Sequence, residues 1–478
     1  MCTLGFILIS ACLIILFVII ALFSLTICLF LVCCLSAILG ILYAFPSSTI
    51  KLFESANTTL HRPMDETELA LFGSLSSIGA VISTPPAGFL LDIVGRKYCV
   101  MGMAWTLLST CRRVEVALVS MFLSGVSGCV FLVVPVYISE FCQESIRGMM
   151  TSGTMLFYYV GILLSYLLGG YLSYDTFVYV GLSMSVVAFV LIGFMKESPL
   201  FLLQKKTEDE SRKALAYFRN TTPDSKEVFK EINNMRRILN PEMDEEEKLQ
   251  TDFKSKEKLP LFQFIRKSRS TRQGLFVALT VFTASMFQGL VAIQVYAEPL
   301  FLEAVPNLSP TISSIILALV TVVVSVLTAY LIDIFGRRPL MIYTSLTSAV
   351  CCILIGTQLQ LHWGPHWLTA LFIYAFCISF TAGAGTVPYV LFAEIFLPEV
   401  KSFMSMIVIE WAWLCSFIIL FIFNPLVTLM GLGPIFYCFA VVCAATAIFS
   451  FIFQPETKGL PVDVIQTLFA PSKRGLRS

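Results

Sequence analysis

The sequence predicts an all-α polytopic membrane protein that is built from two six-helix bundles and preceded by an extra hydrophobic segment. Of its 478 residues, 57% are hydrophobic and only 13% are charged, whereas a soluble domain is about one quarter charged. About twelve apolar runs have lengths near the ~20 residues that a membrane helix needs. A short motif of an acid, a glycine and two cations also occurs once in each half, at Asp92–Lys97 and Asp333–Arg338.

The first apolar stretch, from Leu4 to Tyr43, is about twice as long as one membrane span. One part of it must form the first core helix, which we place at about Ser24–Pro46. Residues 1–23 are then either a cleavable leader or an extra hydrophobic segment, and they lack the basic start that is typical of a signal peptide. The sequence leaves these two interpretations open.

Further apolar runs follow, and each is predicted to be one membrane helix. Those before a long charged interval are Leu69–Leu91, Tyr98–Cys111, Val116–Ile138, Thr151–Leu172 and Phe177–Met195. Those after it are Gly274–Phe301, Thr311–Ile334, Leu340–Leu361, Leu368–Phe392, Phe403–Met430 and Ile435–Phe453. The run Tyr98–Cys111 is short for a membrane span.

The distribution of cations sets the predicted orientation, because cytoplasmic loops of membrane proteins are rich in Lys and Arg. If successive helices cross the membrane in opposite directions, the cations of both motifs, of the charged interval and of the C-terminal tail fall on the same side of the membrane. Both main termini are therefore predicted to be cytoplasmic, in a protein of the plasma membrane. Asn57, in the sequon Asn57-Thr-Thr, then lies outside and is a candidate glycosylation site. Arg112-Arg113 is the one clear exception to this pattern.

These boundaries divide the chain into five predicted segments. The charged interval carries Val228, Ile232, Met235 and Leu239 at helical spacing, so it is interpreted as a short cytoplasmic helical linker. The five segments are the extra hydrophobic segment 1–23, the first six-helix bundle 24–195, the linker 196–273, the second six-helix bundle 274–453 and a cytoplasmic tail 454–478.

Charged residues recur at matching positions in the two bundles, which indicates an internal duplication. The matched acids and cations are Glu140 and Arg147 with Glu394 and Lys401, and Glu197 with Glu456. Glu140 lies seven residues before Arg147, and Glu394 lies seven residues before Lys401. Because the orientation rule favours only Lys and Arg, acids that recur with them suggest paired charges at the cytoplasmic ends of the helices.

The ordered set of motifs resembles the sugar porter family of the major facilitator superfamily, which includes animal facilitative glucose transporters and insect trehalose transporters. The stretches that carry the resemblance are Asp92–Lys97, Pro135–Glu140 with Arg147-Gly148, Glu197–Pro199, Asp333–Arg338, Gly383–Tyr389, Glu394 to Lys401 and Pro455–Gly459. The resemblance implies the major facilitator fold and facilitated transport by alternating access. It also implies one cytoplasmic charge network in each half, where ion pairs of small net stability are suited to a switch. The network residues are Asp92, Arg96, Lys97, Glu140, Arg147 and Glu197, then Asp333, Arg337, Arg338, Glu394, Lys401 and Glu456.

The resemblance also places substrate-binding residues near the middle of the membrane, and most of these positions are altered here. Glutamines of the family are replaced by Met155, Ser285 and Met286, and an asparagine is replaced by Val291. The candidate substrate-binding residues are Gln288, Gln294 and Tyr296 in the seventh core helix, Thr321 in the eighth, Tyr389 in the tenth, and Glu410 and Trp411 in the eleventh. A hexose or trehalose is the substrate that the resemblance implies.

Features of the membrane helices bear on the mechanism. Gly383, Gly385 and Pro388 interrupt the tenth helix, either as part of a binding site or as a simple packing kink. Glu410 is an acid within an apolar run, so it is either functional or close to the cytoplasmic interface. The first core helix has no acid where proton-coupled relatives of the family carry an aspartate, which favours facilitated diffusion.

Other classes of function fit the sequence less well. The alternatives to a sugar carrier are a transporter-like sensor, a transport-inactive paralogue and a carrier of a non-sugar solute. No enzyme is expected, because no catalytic motif was found, and no cofactor or metal is expected, because the 15 cysteines have no metal-binding spacing. The cations are confined to a few loops, so nucleic acid is not an expected partner. The expected partners are a small solute and the lipid bilayer, with no obligate protein partner.

Overall fold

The computed structural model describes residues 24–93, 113–131, 134, 137–138, 144–193, 196–205, 207–219, 221–239, 268–396, 398–460 and 462–469. Regular structure in these residues is helical, and they contain no strand. The extra segment 1–23, the short run Tyr98–Cys111 and much of the charged interval lie outside the described residues.

The described residues form a succession of α-helices that follows the predicted runs. In chain order they are α1 Ser24–Glu54, α2 Glu66–Ile93, α3 Val114–Gly125, α4 Glu144–Tyr171, α5 Tyr174–Gly193, α6 Pro199–Gln204, α7 Glu208–Arg219, α8 Lys226–Leu239, α9 Arg269–Phe287, α10 Leu290–Val295, α11 Ala297–Ala304, α12 Pro310–Phe335, α13 Arg337–Leu361, α14 His366–Ala382, α15 Val387–Ile395, α16 Pro398–Met430, α17 Leu432–Phe453 and α18 Val462–Leu468. A 3₁₀ turn, Val126–Cys129, extends α3.

Eight stretches of the described helices are long and apolar enough to cross a membrane. They are Cys33–Glu54, Glu66–Pro86, Gly153–Tyr171, Pro310–Phe335, Arg337–Leu361, His366–Phe392, Phe403–Met430 and Leu432–Phe453. Two shorter apolar helices, Val114–Gly128 and Tyr174–Ala188, lie where the fourth and sixth runs are predicted. The prediction of an all-helical polytopic membrane protein is therefore confirmed.

The predicted seventh membrane helix is broken into three pieces, α9, α10 and α11. Gly289 separates the first two with a φ of +101°, a left-handed conformation that only glycine adopts readily. A Cβ atom at this position would lie 2.4 Å from the ring of Phe439, so there is no space for a side chain. The predicted tenth helix is broken between α14 and α15, at Gly383 and Gly385. The interruption of the tenth helix was predicted from its glycines and proline, whereas the seventh helix was predicted as one continuous run, Gly274–Phe301.

The helices before and after the charged interval pack against each other along two main contacts. Helix α2 lies along α16, and α4 lies along α12, while α1 also touches α10 and α11. Within the halves, α1 packs on α4 and α13 packs on α17. The broken helix pieces α9 and α15 contact each other, and α10 contacts α1. The breaks therefore lie where the second half faces the first.

The described part of the charged interval folds into α6, α7 and α8 around a small apolar core. Leu215, Val228 and Ile232 are fully buried in that core. A salt bridge of 3.0 Å between Arg219 and Glu231 joins α7 to α8. The helical spacing of Val228 and Ile232 in the sequence thus corresponds to one buried stripe of α8.

Candidate functional site

A cavity of about 70 Å³ lies between the two halves of the chain. Its lining residues are Tyr43, Phe131, Met155, Tyr158 and Tyr159 from the first half, and Ser285, Met286, Leu290, Val291, Gln294, Phe380, Gly385, Tyr389, Ile409, Ala412, Trp413 and Ser416 from the second. The wall therefore includes residues on both sides of the first helix break and a glycine of the second. Because ligand pockets commonly measure ~300–1,000 Å³, this cavity must widen to hold a small-molecule ligand.

Two side-chain hydroxyls donate hydrogen bonds to backbone carbonyl groups beside the second helix break. The Oγ atom of Ser285 donates to the carbonyl oxygen of Ala384 at 2.6 Å. The Oγ1 atom of Thr386 donates to the carbonyl oxygen of Thr381 at 2.8 Å. An unpaired backbone group in a membrane interior is costly, and these bonds allow non-helical backbone beside the cavity. The bond from Ser285 also joins α9 to the break between α14 and α15.

Aromatic rings from both halves meet across the cavity. The ring of Phe131, from the first half, lies 6.4 Å from that of Tyr389 and 6.0 Å from that of Trp413, both from the second. The same ring lies 5.1 Å from that of Tyr158. These centroid separations are in the range of favourable edge and offset ring contacts. The two halves are therefore joined at this depth by an apolar aromatic wall.

Hydroxyl groups also bridge the halves at the level of the cavity. The hydroxyls of Tyr43 in α1 and Ser416 in α16 lie 3.1 Å apart. The hydroxyl of Ser77 in α2 lies 3.1 Å from the same Ser416 oxygen. All three residues are buried. Ser416 thus connects one helix of the second half to two helices of the first.

Further bridges lie towards the loop that joins α1 to α2. The hydroxyl of Tyr166 in α4 donates to the backbone carbonyl of Gln294 in α10. The backbone N–H of Glu298 in α11 donates to the hydroxyl of Ser47 in α1 at 3.0 Å. Ser47 is one helical turn beyond the cavity-lining Tyr43 in α1, so the bond to Ser47 joins the two halves one turn away from the cavity.

Arg337 is the centre of a charge network at the start of α13. Its guanidinium lies 3.1 Å from the carboxylate of Asp333 and 2.9 Å from that of Glu394, and it donates to the carbonyl of Ile332 at 3.2 Å. The hydroxyl of Thr457 donates to the second oxygen of Glu394 at 2.5 Å. Only 10% of the Arg337 side chain is exposed. The network therefore joins α12, α13, α15 and the segment after α17 in a partly desolvated position.

Glu456 caps the start of α13. Its carboxylate accepts the backbone N–H groups of Arg337 and Arg338, both at 3.0 Å. The first N–H groups of a helix have no partner within the helix and carry partial positive charge, so a carboxylate is favourable there. Gly336 turns the chain before α13 with a φ of +89°, and a Cβ atom there would lie 2.7 Å from a Glu456 oxygen. Arg338 points elsewhere, because its guanidinium donates to the carbonyl of Phe451 in α17.

The chain matches the family model described as "Sugar (and other) transporter" over residues 28–469. It belongs to this sugar transporter family.

Relatives of this transporter are similar over most of their length. It is 30% identical to "Sugar transporter ERD6-like 16" of Arabidopsis thaliana over 84% of this chain and 82% of the relative. It is 24% identical to "Facilitated trehalose transporter Tret1" of Bombyx mori over 86% of this chain and 81% of the relative. A solved structure of the xylose transporter XylE from E. coli, in a partially occluded inward open conformation, matches with a TM-score of 0.72 at 19% identity, covering 91% of this chain and 98% of XylE. Because XylE is a major facilitator superfamily protein, the predicted major facilitator fold is confirmed.

Two of the seven predicted substrate-binding residues line the cavity of the transporter, namely Gln294 and Tyr389. Within the described part of the chain, the side-chain amide of Gln294 and the hydroxyl of Tyr389 make no hydrogen bond. The ring of Tyr389 lies 5.1 Å from that of Phe282, which fixes its position on α15. Both polar groups are therefore available to a ligand.

Three other predicted residues lie in the protein interior outside the cavity lining. Gln288 is fully buried, and neither atom of its amide has a hydrogen-bond partner among the described residues. The hydroxyl of Tyr296 donates to the carbonyl of Leu420 at 3.1 Å. The hydroxyl of Thr321 donates to the carbonyl of Leu317 at 2.8 Å. Tyr296 and Thr321 thus have partners within the protein.

The last two predicted residues, Glu410 and Trp411, lie on α16 outside the cavity lining. Glu410 is half-buried within the span Phe403–Met430, and it forms no hydrogen bond or salt bridge with another described residue. Trp411 is 40% exposed and donates its indole N–H to the hydroxyl of Thr283 at 2.8 Å. The tryptophan that lines the cavity is Trp413.

The cavity-lining residues of α16 are not among the predicted substrate-binding residues. Ile409, Ala412, Trp413 and Ser416 follow the spacing i, i+3, i+4 and i+7, so they form one stripe of the helix. Trp411 lies between the first two in sequence and projects from a different face. The stripe is recognised only from the packed structure, because the residues on the other faces of α16 are equally apolar.

The predicted charge network is described only in the second half. Asp333, Arg337, Arg338, Glu394 and Glu456 lie together at the start of α13, as set out above. Arg96, Lys97 and Glu140 lie outside the described residues, and the structure does not describe the side chains of Asp92, Arg147 and Lys401. Glu197 accepts the backbone N–H of Ser198 at 3.0 Å, just before α6. Asn57 is exposed in the loop between α1 and α2.

Proposed function

We propose that the protein moves a sugar across a membrane by facilitated diffusion with alternating access. The observation that carries this proposal is the cavity between the halves, beside the breaks in two membrane helices. Transporter sites occur where discontinuous helices meet near the middle of the membrane. The relatives are named as sugar and facilitated trehalose transporters, which favours this function over a sensor or an inactive paralogue. The proposed substrate class is a sugar or a sugar derivative, for which the family resemblance implies a hexose or trehalose.

The charge network is proposed to hold one end of the second half together in one conformational state. Arg337 contacts acids from two other elements, and Glu456 contacts the start of α13. A conformational change that moves α15 or the segment after α17 relative to α13 would separate these contacts, and the small net free energy of such pairs makes the exchange easy. We propose the same role in the first half for Asp92, Arg96, Lys97, Glu140, Arg147 and Glu197, and in the second half for Lys401.

The proposed orientation places the turn at Gly336, before α13, and both main termini on the cytoplasmic side. The proposed location is the plasma membrane. The orientation follows from the cations of the turn, the linker and the tail. Asn57, at the opposite end of α1, is then an extracellular glycosylation site. The segments 1–23, 24–195, 196–273, 274–453 and 454–478 remain the proposed division of the chain.

Gln294, Tyr389 and Trp413 are proposed to contact the sugar directly. Their side chains line the cavity, and a carboxamide with aromatic faces suits hydroxyl groups and the apolar face of a pyranose ring. Tyr296, Thr321 and Trp411, whose side chains bond to other helices, are proposed to act indirectly by supporting the helices around the cavity. Gln288 and Glu410 have no partner among the described residues, and they are proposed to contact the sugar when the cavity widens. Uniport without an ion is proposed because α1 has no acid before Glu54.

The test is uptake of radiolabelled glucose and trehalose into proteoliposomes that contain the full chain. We expect saturable uptake that does not change when a proton gradient is imposed. Ala412→Trp, which fills the cavity, should abolish uptake, whereas Leu414→Trp on an exposed part of the same helix should not. If uptake of every solute equals that of empty liposomes, the protein is not a transporter of this kind.

A further inference from the structure

The hydrogen-bonding groups on the cavity wall are few, and some of them are already used. Among the described residues that line the cavity, only Ser285, Gln294 and Ser416 contribute a polar side chain that is not aromatic. Ser285 donates to the carbonyl of Ala384 at 2.6 Å, and Ser416 is bonded to Tyr43 at 3.1 Å. Of these three side chains, therefore, only the amide of Gln294 is open to a ligand.

The remaining hydrogen-bonding atoms are carried by aromatic rings. Within the described part of the chain, the hydroxyls of Tyr158, Tyr159 and Tyr389 and the indole N–H of Trp413 make no hydrogen bond. Each of these groups places one polar atom at the edge of a large apolar surface. The wall therefore offers isolated hydrogen bonds within an extended aromatic face.

The rest of the wall is apolar and adaptable. Met155 and Met286 face the cavity with unbranched, polarizable side chains, which fit ligands of different shape. Leu290 and Val291, after the first break, add branched aliphatic surface. A free hexose would leave hydroxyls without partners against these four residues, and desolvation of such groups is unfavourable. An apolar substituent would gain free energy at the same surface, because it leaves water.

We infer that the preferred substrate is a glycoside with an aromatic or alkyl aglycone rather than a free hexose or disaccharide. The sugar ring hydrogen-bonds to Gln294 and to the tyrosine hydroxyls, and the aglycone packs against Met155, Met286 and the aromatic wall. This inference rests on the proposed transport function and narrows its substrate class. The cavity of about 70 Å³ widens around such a ligand through the flexible methionines.

The experiment compares uptake of radiolabelled glucose, trehalose and phenyl β-D-glucopyranoside by the full chain in proteoliposomes of phosphatidylcholine and phosphatidylethanolamine. Empty liposomes measure the passive entry of each compound. We expect the half-saturation concentration for the phenyl glucoside to be about tenfold lower than for glucose, since burial of a phenyl ring is worth at least that factor. A half-saturation concentration for glucose or trehalose that is equal to or lower than that for the phenyl glucoside overturns the inference while leaving the transport function intact. No saturable uptake of any of the three rejects both.

A pair of variants tests the assignment of the apolar wall. The double variant Met155→Gln and Met286→Gln adds two amides to the cavity, and it should reverse the preference in favour of glucose. Met430→Gln makes the same chemical change at a half-exposed position at the end of α16, away from the cavity, and should leave the preference unchanged. A cooperative thermal unfolding transition of each detergent-solubilised variant shows that it is folded. An unchanged preference in a folded double variant contradicts the proposed contact.

Discussion

The guanidinium of Arg337 donates to the carboxylate of Glu394 at 2.9 Å, across 57 residues of sequence. Arg337 begins α13, and Glu394 lies in the last turn of α15, the second piece of a broken helix. Only 10% of the arginine side chain and 27% of the glutamate side chain are exposed. This contact therefore joins the C-terminal end of α15 to the start of α13. Its loss should lower both the stability and the transport activity of the protein.

Arg337→Met is expected to lower the thermal stability of the purified transporter. The substitution leaves Glu394 partly buried without its cation, which costs about 2–3 kcal/mol when the partial exposure of the glutamate is taken into account. Glu394→Gln in the same chain removes the unpaired charge and should recover part of the loss. Thermal unfolding of the wild type, both single variants and the double variant provides the measurement. Additive effects of the two substitutions would show that the two side chains are not coupled.

Glu456→Ala should destabilise α13 by removing its N-terminal cap. The carboxylate accepts two backbone N–H groups of the first turn, and loss of such a cap costs about 1–2 kcal/mol. Asp333→Ala is the matched control, because it removes a carboxylate of the same network that is 71% exposed and is worth less than about 1 kcal/mol. The melting temperature should fall clearly for the first variant and little for the second. The reverse order would contradict the capping role.

The turn at Gly336 and the acids around it were predictable from the sequence because the same residue types recur in the first half of the chain. Asp333, Gly336 and Arg337 stand at the spacing of the first-half motif, and Glu394 and Glu456 stand at matched places after their helices. Glycine followed by cations specifies a turn at a membrane surface, where charge and hydropathy change sharply. The described network in the second half contains these predicted residues for that reason.

The orientation of residues inside the membrane was harder to predict. Lipid tails and the protein interior are similarly apolar, so the faces of α16 do not differ in hydropathy. Trp411 and Trp413 are therefore equivalent by composition, and only the packing of α16 against α2 and α9 distinguishes them. The break at Gly289, with its φ of +101°, was also missed, because the Phe439 ring that leaves no space for a side chain there lies 150 residues later.

Gln288→Met is expected to stabilise the transporter in this conformation. Neither amide atom of Gln288 has a partner among the described residues, and a buried amide without hydrogen bonds costs about 1–3 kcal/mol. Methionine has a similar length and no amide to desolvate. Gln294→Met is the matched comparison six residues later, where the amide faces the cavity. The first variant should melt a few degrees higher, and the second should lose sugar affinity without that gain. A lower melting temperature for Gln288→Met would imply that the amide is hydrogen-bonded, for example to an internal water.

Trp413→Ala and Trp411→Ala should have different effects on transport although they lie two residues apart. Trp413 lines the cavity and its ring lies 6.0 Å from that of Phe131, so its removal takes away aromatic surface that contacts the ligand. Loss of such a contact should raise the half-saturation concentration about tenfold. Trp411 is 40% exposed and bonds to Thr283, so its removal should change the half-saturation concentration by less than about twofold. Uptake measured in proteoliposomes with equal amounts of each folded variant distinguishes the two positions. A larger effect at Trp411 would mean that the ligand binds against another face of α16.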